Sequence, residues 1–151
     1  EICACLVGSE MCIRDRFSGK KYFTQVVRGR EACDMPSRRW NKPSIMLTCE
    51  ANYSNAHGTP WVYSHQKLGK LVGMPVPGTM TSVSWERLQD TSLVFGIPVI
   101  GYRLPDGNYL ENTQLEPDIK VANDPEAIVK GEDTQLKTAV EELLKELDEN
   151  K

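Results

Sequence analysis

Short apolar runs separated by turn-forming residues are the main feature of this chain. Residues 44–49 (SIMLTC) are apolar in succession, which is typical of a strand buried on both faces at the centre of a layered α/β domain. Residues 22–27 and 70–76 are rich in β-branched and other apolar side chains and predict two more strands. The polar, proline-containing stretch 28–43 predicts an irregular connection between 22–27 and 44–49.

The second half of the chain predicts shorter strands and tight turns. Residues 80–88 and 93–103 are strand candidates, and the glycines and prolines inside the second of them predict bends or bulges. The sequence Pro-Asp-Gly-Asn at 105–108 is a strong turn signal. We therefore expect residues 99–104 and 109–111 to pair as a hairpin.

Two helices are predicted as well. Residues 56–68 are helical in tendency, provided that Pro60 lies in the first turn. Near the C-terminus, Asp133 suits an N-cap position, and the apolar residues that follow form one stripe at helical spacing: Leu136, Val140, Leu143, Leu144 and Leu147. Strands that alternate with helices over short turns indicate an α/β fold, or α+β with antiparallel hairpins.

Composition and charge exclude several function classes. A chain of 151 residues with 40% hydrophobic and 26% charged residues is typical of one globular domain. Its net charge of −3 gives no general attraction to nucleic acid, and its apolar runs are too short to span a bilayer. No phosphate-binding glycine motif follows a strand, which argues against nucleotide binding. No Cys/His metal spacing is present, so we expect neither metal nor cofactor.

The first sixteen residues stand apart from the rest. Residues 7–16 (VGSEMCIRDR) resemble translated sequencing-adapter read-through, so we expect residues 1–16 to be a non-native segment. The alternative is a genuine, irregular N-terminal strand. Three of the five cysteines lie in this segment. The remaining two, Cys33 and Cys49, are isolated, and we interpret them as reduced core residues.

Ser54 is the first candidate for chemistry. It lies where the strand over 44–49 turns into a helix, and open α/β sheets carry their sites at such carboxyl ends of strands. The N-terminus of the helix offers unpaired N–H groups, as an oxyanion requires. Serine is also the ordinary N-cap residue, so the pattern alone favours a cap. His57 could share a helix face with Ser54, but a histidine at this spacing is more often solvent-facing or bonded to backbone, and His65 is a weaker candidate still.

Three carboxylates at Glu111, Glu116 and Asp118 form a second candidate. Glu111 and Asp118 flank a strand end with Glu116 between them, and we expect a short edge strand over 117–121. Charged residues protect such edges from aggregation, and this interpretation is favoured for the cluster taken by itself.

A series of motifs resembles one family. These are KPSIMLTCEANYSNAHGTPW (42–61), LGKLVGMPVPGTMTSVSW (68–85), YLENTQLEPDIKV (109–121) and GEDTQLKTAVEELLK (131–145). In this order they resemble the C-terminal half of the tricorn core protease and C-terminal processing (tail-specific) serine peptidase family, over residues 17 to 147. The resemblance implies a ClpP/crotonase-like α/β fold, a layered sheet with flanking helices, truncated at its N-terminal side. Residues 17–151 would then be the C-terminal part of the catalytic domain.

The resemblance also implies roles for three residues. Ser54 matches the nucleophilic serine, and the backbone N–H of Asn55 would be one oxyanion donor. Glu111 matches the glutamate that orients the catalytic network through a second serine, and Pro117-Asp118 matches the Pro-Asp that follows it. The implied partner is a peptide or protein substrate, not nucleic acid. A homo-oligomer is left open.

Two departures and one absence qualify these implications. The family often has Asn where Cys49 stands and Asp where Asn55 stands. In tricorn-type members the general-base histidine and a glycine-rich oxyanion loop lie upstream of the matched region, and the residues before Phe17 match neither. We therefore expect this chain by itself to be inactive or nearly so. The alternatives are a non-catalytic ClpP/crotonase-like module for peptide binding or assembly and, more weakly, an acyl-CoA enzyme of the crotonase type.

Overall fold

A computed structural model describes residues 17–21, 23–35, 40 and 42–149 of the chain. Within these residues the elements are β1 (Phe23–Val27), β2 (Arg30–Met35), β3 (Ile45–Thr48), α1 (Asn55–His65), β4 (Lys70–Gly73), β5 (Ser82–Arg87), β6 (Val94–Ile100), β7 (Ile119–Lys120), α2 (Pro125–Val129) and α3 (Thr134–Glu149). The fold is mixed α/β, as predicted. The expectation for residues 1–16 lies outside the described residues.

A parallel sheet with strand order β3-β4-β7 forms the centre of the domain. Its core strand is β4, in which Leu71 and Val72 are completely buried. The prediction that β3 is central and buried on both faces is wrong for the described chain, where β3 has one strand neighbour and Leu47 is 41% exposed. Strand β4 is the central strand of this sheet, since β3 pairs with it on one side and β7 on the other.

Strand β4 ends earlier than the run 70–76 predicts. Gly73 has φ of 132°, a conformation that side chains with a Cβ rarely adopt, and the chain turns there. Met74 then donates its backbone N–H to the carbonyl of Thr48, and Val76 forms an isolated bridge with Leu115. The predicted edge strand over 117–121 is present as β7.

The connection predicted over 28–43 is wrong in its first part, because residues 30–35 form β2. Strand β2 pairs with β1 in antiparallel fashion around a turn in which Gly29 has φ of 87°. The backbone hydrogen bonds of this pairing do not require apolar side chains, so a polar sequence can form the second strand. Cys33 lies on β2 and is an exposed free thiol, which corrects its interpretation as a core residue; Cys49 is free and half-buried.

The strands predicted over 80–88 and 93–103 are present as the antiparallel pair β5–β6. Both are shorter than predicted, and the register shifts between Ser82 and Val83. The turn predicted at 105–108 is also confirmed. Leu104 donates its N–H to Asn108 at 2.7 Å, and Gly107 has φ of 91°.

Helix α1 contains Pro60 beyond its first turn, contrary to the expectation from sequence. A proline has no N–H, so the carbonyl of Ala56 loses its usual helical partner. The side-chain amide of Asn52 donates to that carbonyl at 3.0 Å instead. At the other end of the helix, the hydroxyl of buried Tyr63 donates to the carbonyl of Ser44 at 2.7 Å, which ties α1 to the start of β3.

Helix α3 begins where predicted, since the carboxylate of Asp133 accepts the N–H of Leu136 at 2.9 Å. Ala139 is buried in this helix, and Lys70 of β4 forms ion pairs with Glu142 and Glu146, which join the helix to the central strand. Four of the five stripe residues remain between 41% and 56% exposed: Leu136, Val140, Leu144 and Leu147. The five-residue helix α2, capped by Asp124, was not predicted.

Candidate active site

The corner between β3 and α1 holds Ser54 in an unusual backbone conformation. Its φ is 56° and its ψ is −125°, outside the regions that serine ordinarily occupies. Such a conformation costs about 1–3 kcal/mol and persists only where surrounding structure enforces it. The hydroxyl of Ser54 makes no capping hydrogen bond, although the residue occupies the N-cap position. The capping role that the sequence favoured is therefore absent from this helix.

The helix N-terminus lies directly after this serine. Asn55 is the first residue of α1, and no acidic side chain occupies the first turn to neutralise the positive end of the helix dipole. The N–H groups of His57 and Gly58 both point back to the carbonyl of Ser54, at 2.8 and 3.1 Å. The corner is thus held by backbone bonds, and the side chain of Ser54 contributes none of them.

Glu111 and Ser54 are brought together by the loop that follows β4. The N–H of Ser54 donates to the carbonyl of Thr79 at 2.7 Å. The next two residues of that loop bind Glu111: Oε2 accepts the N–H of Met80 at 2.7 Å, the N–H of Thr81 at 2.6 Å and the Thr81 hydroxyl at 2.8 Å. Two residues that lie 57 positions apart therefore share one three-residue segment.

These donors also determine the charge of Glu111. The N–H of Met80 is the largest influence, and with the hydroxyl and N–H of Thr81 it lowers the pKa of the Glu111 carboxyl. Hydrogen bonds to a carboxylate favour the ionised form. Glu111 is therefore an anion at neutral pH, held rigidly beside the corner. Sequence reasoning gave no indication of Thr81, because its role depends on this long-range contact.

His57 does not form a dyad with Ser54. Its side chain is completely buried, and neither ring nitrogen has a hydrogen-bond partner among the described residues. Burial lowers the pKa of His57, and the nearby negative charge of Glu111 opposes that shift in part. His65 stacks instead on Trp61, with ring centroids 4.5 Å apart.

The other two carboxylates of the predicted cluster are separated from the corner. Asp118 accepts the N–H of Leu71 at 2.7 Å and so joins the start of β7 to the central strand. Glu116 is exposed and lies 3.7 Å from the ammonium group of Lys120. The cluster therefore divides into one carboxylate near Ser54, one structural carboxylate and one surface carboxylate.

A cleft of about 340 Å³ opens beside the corner and was not predicted from the sequence. It lies between α1 and the loop segments around residues 80 and 102–110, and its lining is largely apolar. Two lining residues connect the cleft to the serine: Gly58 donates its N–H to the Ser54 carbonyl, and Met80 follows Thr79, whose carbonyl accepts the Ser54 N–H. The one signal in the sequence is the aromatic pair Trp61 and His65, one helical turn apart.

Metal-ligating clusters and membrane-spanning helices are both absent from the described residues. No group of three or more His, Cys, Asp or Glu side chains in the described ranges could hold a metal ion. None of the helices in the described part of the chain combines the length and apolarity needed to cross a bilayer.

Comparisons with known proteins agree on one family. The model of peptidase family S41 matches residues 8–121. A tricorn-like protease C-terminal subunit of Sulfurisphaera tokodaii is 32% identical over 128 residues, which are 82% of this chain and 15% of that protein. The crystal structure of the tricorn protease superposes with a TM-score of 0.74 at 21% identity, covering 93% of this chain and 14% of that one. The photosystem II D1 C-terminal processing protease superposes with a TM-score of 0.52 at 15% identity, over 78% and 31% of the two chains.

Proposed function

Because this chain belongs to peptidase family S41, a family of serine peptidases, we propose that Ser54 is the nucleophile of a peptide-hydrolysing site. In this scheme the Ser54 hydroxyl attacks a peptide carbonyl, the amine leaves, and water hydrolyses the resulting ester. The chain spans about 15% of the length of its tricorn-like relative, so the activity of a whole protein is part of the proposal.

The backbone of Ser54 is the observation that carries this proposal. A residue that merely caps a helix lies in the β region and uses its side-chain oxygen to accept an N–H. Ser54 has positive φ, and its hydroxyl does not cap α1. Strain of this kind is concentrated at sites where a side chain must be presented in one direction, as at the sharp strand-to-helix turn of other serine hydrolases.

Asn55 and Glu111 have supporting roles in the proposal. The N–H of Asn55 lies at the positive end of α1 and would stabilise the oxyanion of the tetrahedral intermediate. The carboxylate of Glu111 would orient the catalytic network, as the family resemblance implies, through groups that approach the loop over 79–81. Its lowered pKa supports this role, because an orienting carboxylate must remain charged at working pH.

We also propose that the 151-residue chain by itself is almost inactive. A serine hydroxyl needs a base to accept its proton during attack. Among the described residues, His57 makes no hydrogen bond from its ring, and His65 is stacked on Trp61. A missing base can be replaced by imidazole added to the solution, which provides a direct test.

The test measures labelling of the chain by a fluorophosphonate, with the modified residue mapped by mass spectrometry. We expect labelling at Ser54 to be slow in buffer and to increase with imidazole concentration. Ser54→Ala should abolish it, and Ser92→Ala, at an exposed serine bonded to Asp90, should leave it unchanged. Labelling that persists in Ser54→Ala, or no labelling at any imidazole concentration, would refute the nucleophile.

A non-catalytic assembly module is the second candidate, and the β5–β6 hairpin favours it. Large apolar side chains remain 42–69% exposed along this hairpin, including Trp85, Phe95 and Ile97. Exposed apolar surface of this extent marks interaction sites. Such a module would self-associate without any reactivity at Ser54, so labelling and sedimentation velocity together separate the two functions.

A further inference from the structure

The cleft beside Ser54 has a largely apolar lining with a few polar side chains, such as Gln66 and Tyr102, and one strongly basic side chain. Among the described residues that line it, Arg103 carries a full positive charge and none is Asp or Glu. The walls are formed by residues such as Trp61, Val62 and Leu104. A volume of about 340 Å³ lies at the small end of the range for ligand sites, about 300–1,000 Å³.

The guanidinium of Arg103 has no ion-pair partner in the described part of the chain. The nearest acidic residue in sequence, Asp106, is occupied within its own turn, where its two oxygens accept the N–H and the side-chain amide of Asn108, both at 3.0 Å. A bridge between Arg103 and Tyr109 holds the backbone at this point. The positive charge at the cleft is therefore available to a ligand.

We propose that this cleft binds a glutamate side chain of the substrate, with its methylene groups against the apolar walls and its carboxylate on Arg103. Arginine pairs with a carboxylate through two parallel N–H···O bonds, which makes it selective for that group. The assignment rests on the proposed function, because the cleft is a substrate site only if Ser54 is where the peptide is cleaved.

The cleft lies close to the corner, and this position favours a side-chain carboxylate over a C-terminal one. Gly58 and Met80 line the cleft and are one hydrogen bond or one residue removed from the corner. In this proposal the substrate residue bound in the cleft is the one whose carbonyl Ser54 attacks, so its own carboxyl group is part of the bond to be cleaved. The negative charge must therefore come from its side chain rather than from a peptide C-terminus.

Binding can be measured without turnover in the Ser54→Ala chain. Trp61 lines the cleft, so its indole N–H signal in NMR, assigned with Trp61→Phe, reports occupancy. The probes are pentapeptides with acetylated and amidated ends and Glu, Gln, Leu or Lys at the centre, together with a Gln peptide that has a free C-terminus. We expect the Glu peptide to bind about 10-fold more tightly than the Gln peptide, and its advantage to decrease with salt.

Arg103→Gln should remove the preference for Glu while leaving the affinity for the Gln peptide unchanged. Arg103→Lys should restore part of the preference for Glu. Arg28→Gln, in the exposed turn between β1 and β2, is the matched control and should keep the full preference. Equal affinity for Glu and Gln peptides, a preference that survives Arg103→Gln, tighter binding of the free C-terminus, or no binding of any peptide would each overturn the assignment.

This result can be distinguished from failure of the nucleophile. Fluorophosphonate labelling depends on the Ser54 hydroxyl and not on Arg103. Labelling at Ser54 without Glu-selective binding would refute the cleft alone. Absence of labelling would refute the proposed function, whatever the peptides do at the cleft.

Discussion

Removal of the Glu111 carboxylate is the most informative perturbation of the site. In Glu111→Ala, the N–H groups of Met80 and Thr81 and the Thr81 hydroxyl lose a charged acceptor at 2.6–2.8 Å. A hydrogen bond to a charged group contributes about 1.5–3 kcal/mol, and the contributions of donors that share one oxygen are less than additive. Because Glu111 is half-buried, water can replace part of the loss. We expect the free energy of unfolding to decrease by about 3 kcal/mol.

The assay is urea denaturation followed by circular dichroism at pH 7, with Glu116→Ala as the control. Glu116 is a neighbouring carboxylate whose contact with Lys120 is exposed, so its removal should change stability by less than about 0.5 kcal/mol. Glu111→Gln should lie between the wild type and Glu111→Ala, because it retains an acceptor oxygen without the charge.

The pH dependence provides a second readout. The pKa of Glu111 is lowered in the folded chain, so its contribution is fully present above the ordinary value of 4.5 and is lost as the pH falls towards the folded value. The wild type and Glu111→Ala should therefore converge in acid. If Glu111→Ala lowered the free energy of unfolding at pH 7 no more than Glu116→Ala does, Glu111 would not be holding the loop over 79–81. The connection of Ser54 to Glu111 through this loop would then be refuted.

Four further predictions concern the corner and other parts of the fold. In thermal denaturation, Ser54→Gly should be more stable than Ser54→Ala by about 1 kcal/mol because glycine relieves the strained backbone, and the reverse order would contradict the strain. Asp133→Ala should lower the free energy of unfolding by about 1 kcal/mol because it removes the N-cap of α3. Gly73→Ala should prevent stable folding, since its Cβ would lie 2.1 Å from the Thr48 carbonyl oxygen, and a two-state urea transition like that of the wild type would disprove this. Burial lowers the pKa of His57, so the unfolded chain binds the proton more readily, and the free energy of unfolding should decrease as pH falls below 6.5. His57→Phe should reduce this dependence of stability on pH. An unchanged slope in the variant would show that His57 does not cause it.

Part of the site was predictable because its signals are local. The order of apolar run, turn and helix around Ser54 is encoded in consecutive residues, and the turn at 105–108 and the cap at Asp133 are likewise read over a few positions. The sequence alone favoured a helix cap at Ser54, and family resemblance favoured a nucleophile. The uncapped hydroxyl and positive φ remove the first interpretation and support the second.

Other predictions failed where a long-range contact decided the outcome. The run 44–49 was expected to be central, but sheet order assigns that place to β4. Residues 30–35 were expected to be irregular, and pairing with β1 makes them a strand. The helix over α3 and its apolar stripe are present as predicted, but four of the five stripe residues remain at least 41% exposed, which spacing alone does not indicate. Each pattern describes one element, whereas burial depends on which element lies beside it.

The sequence by itself determined the fold class, the corner that carries Ser54 and the family to which the motifs point. Tertiary structure alone decided that Thr79, Met80 and Thr81 bridge Ser54 to Glu111, that His57 is buried away from hydrogen-bonding partners, and that a cleft with Arg103 opens beside the corner. The physical reason is the range of the interactions. Turns, caps and periodicity act over a few residues, while a hydrogen bond or a cleft between distant segments exists only after the chain has packed.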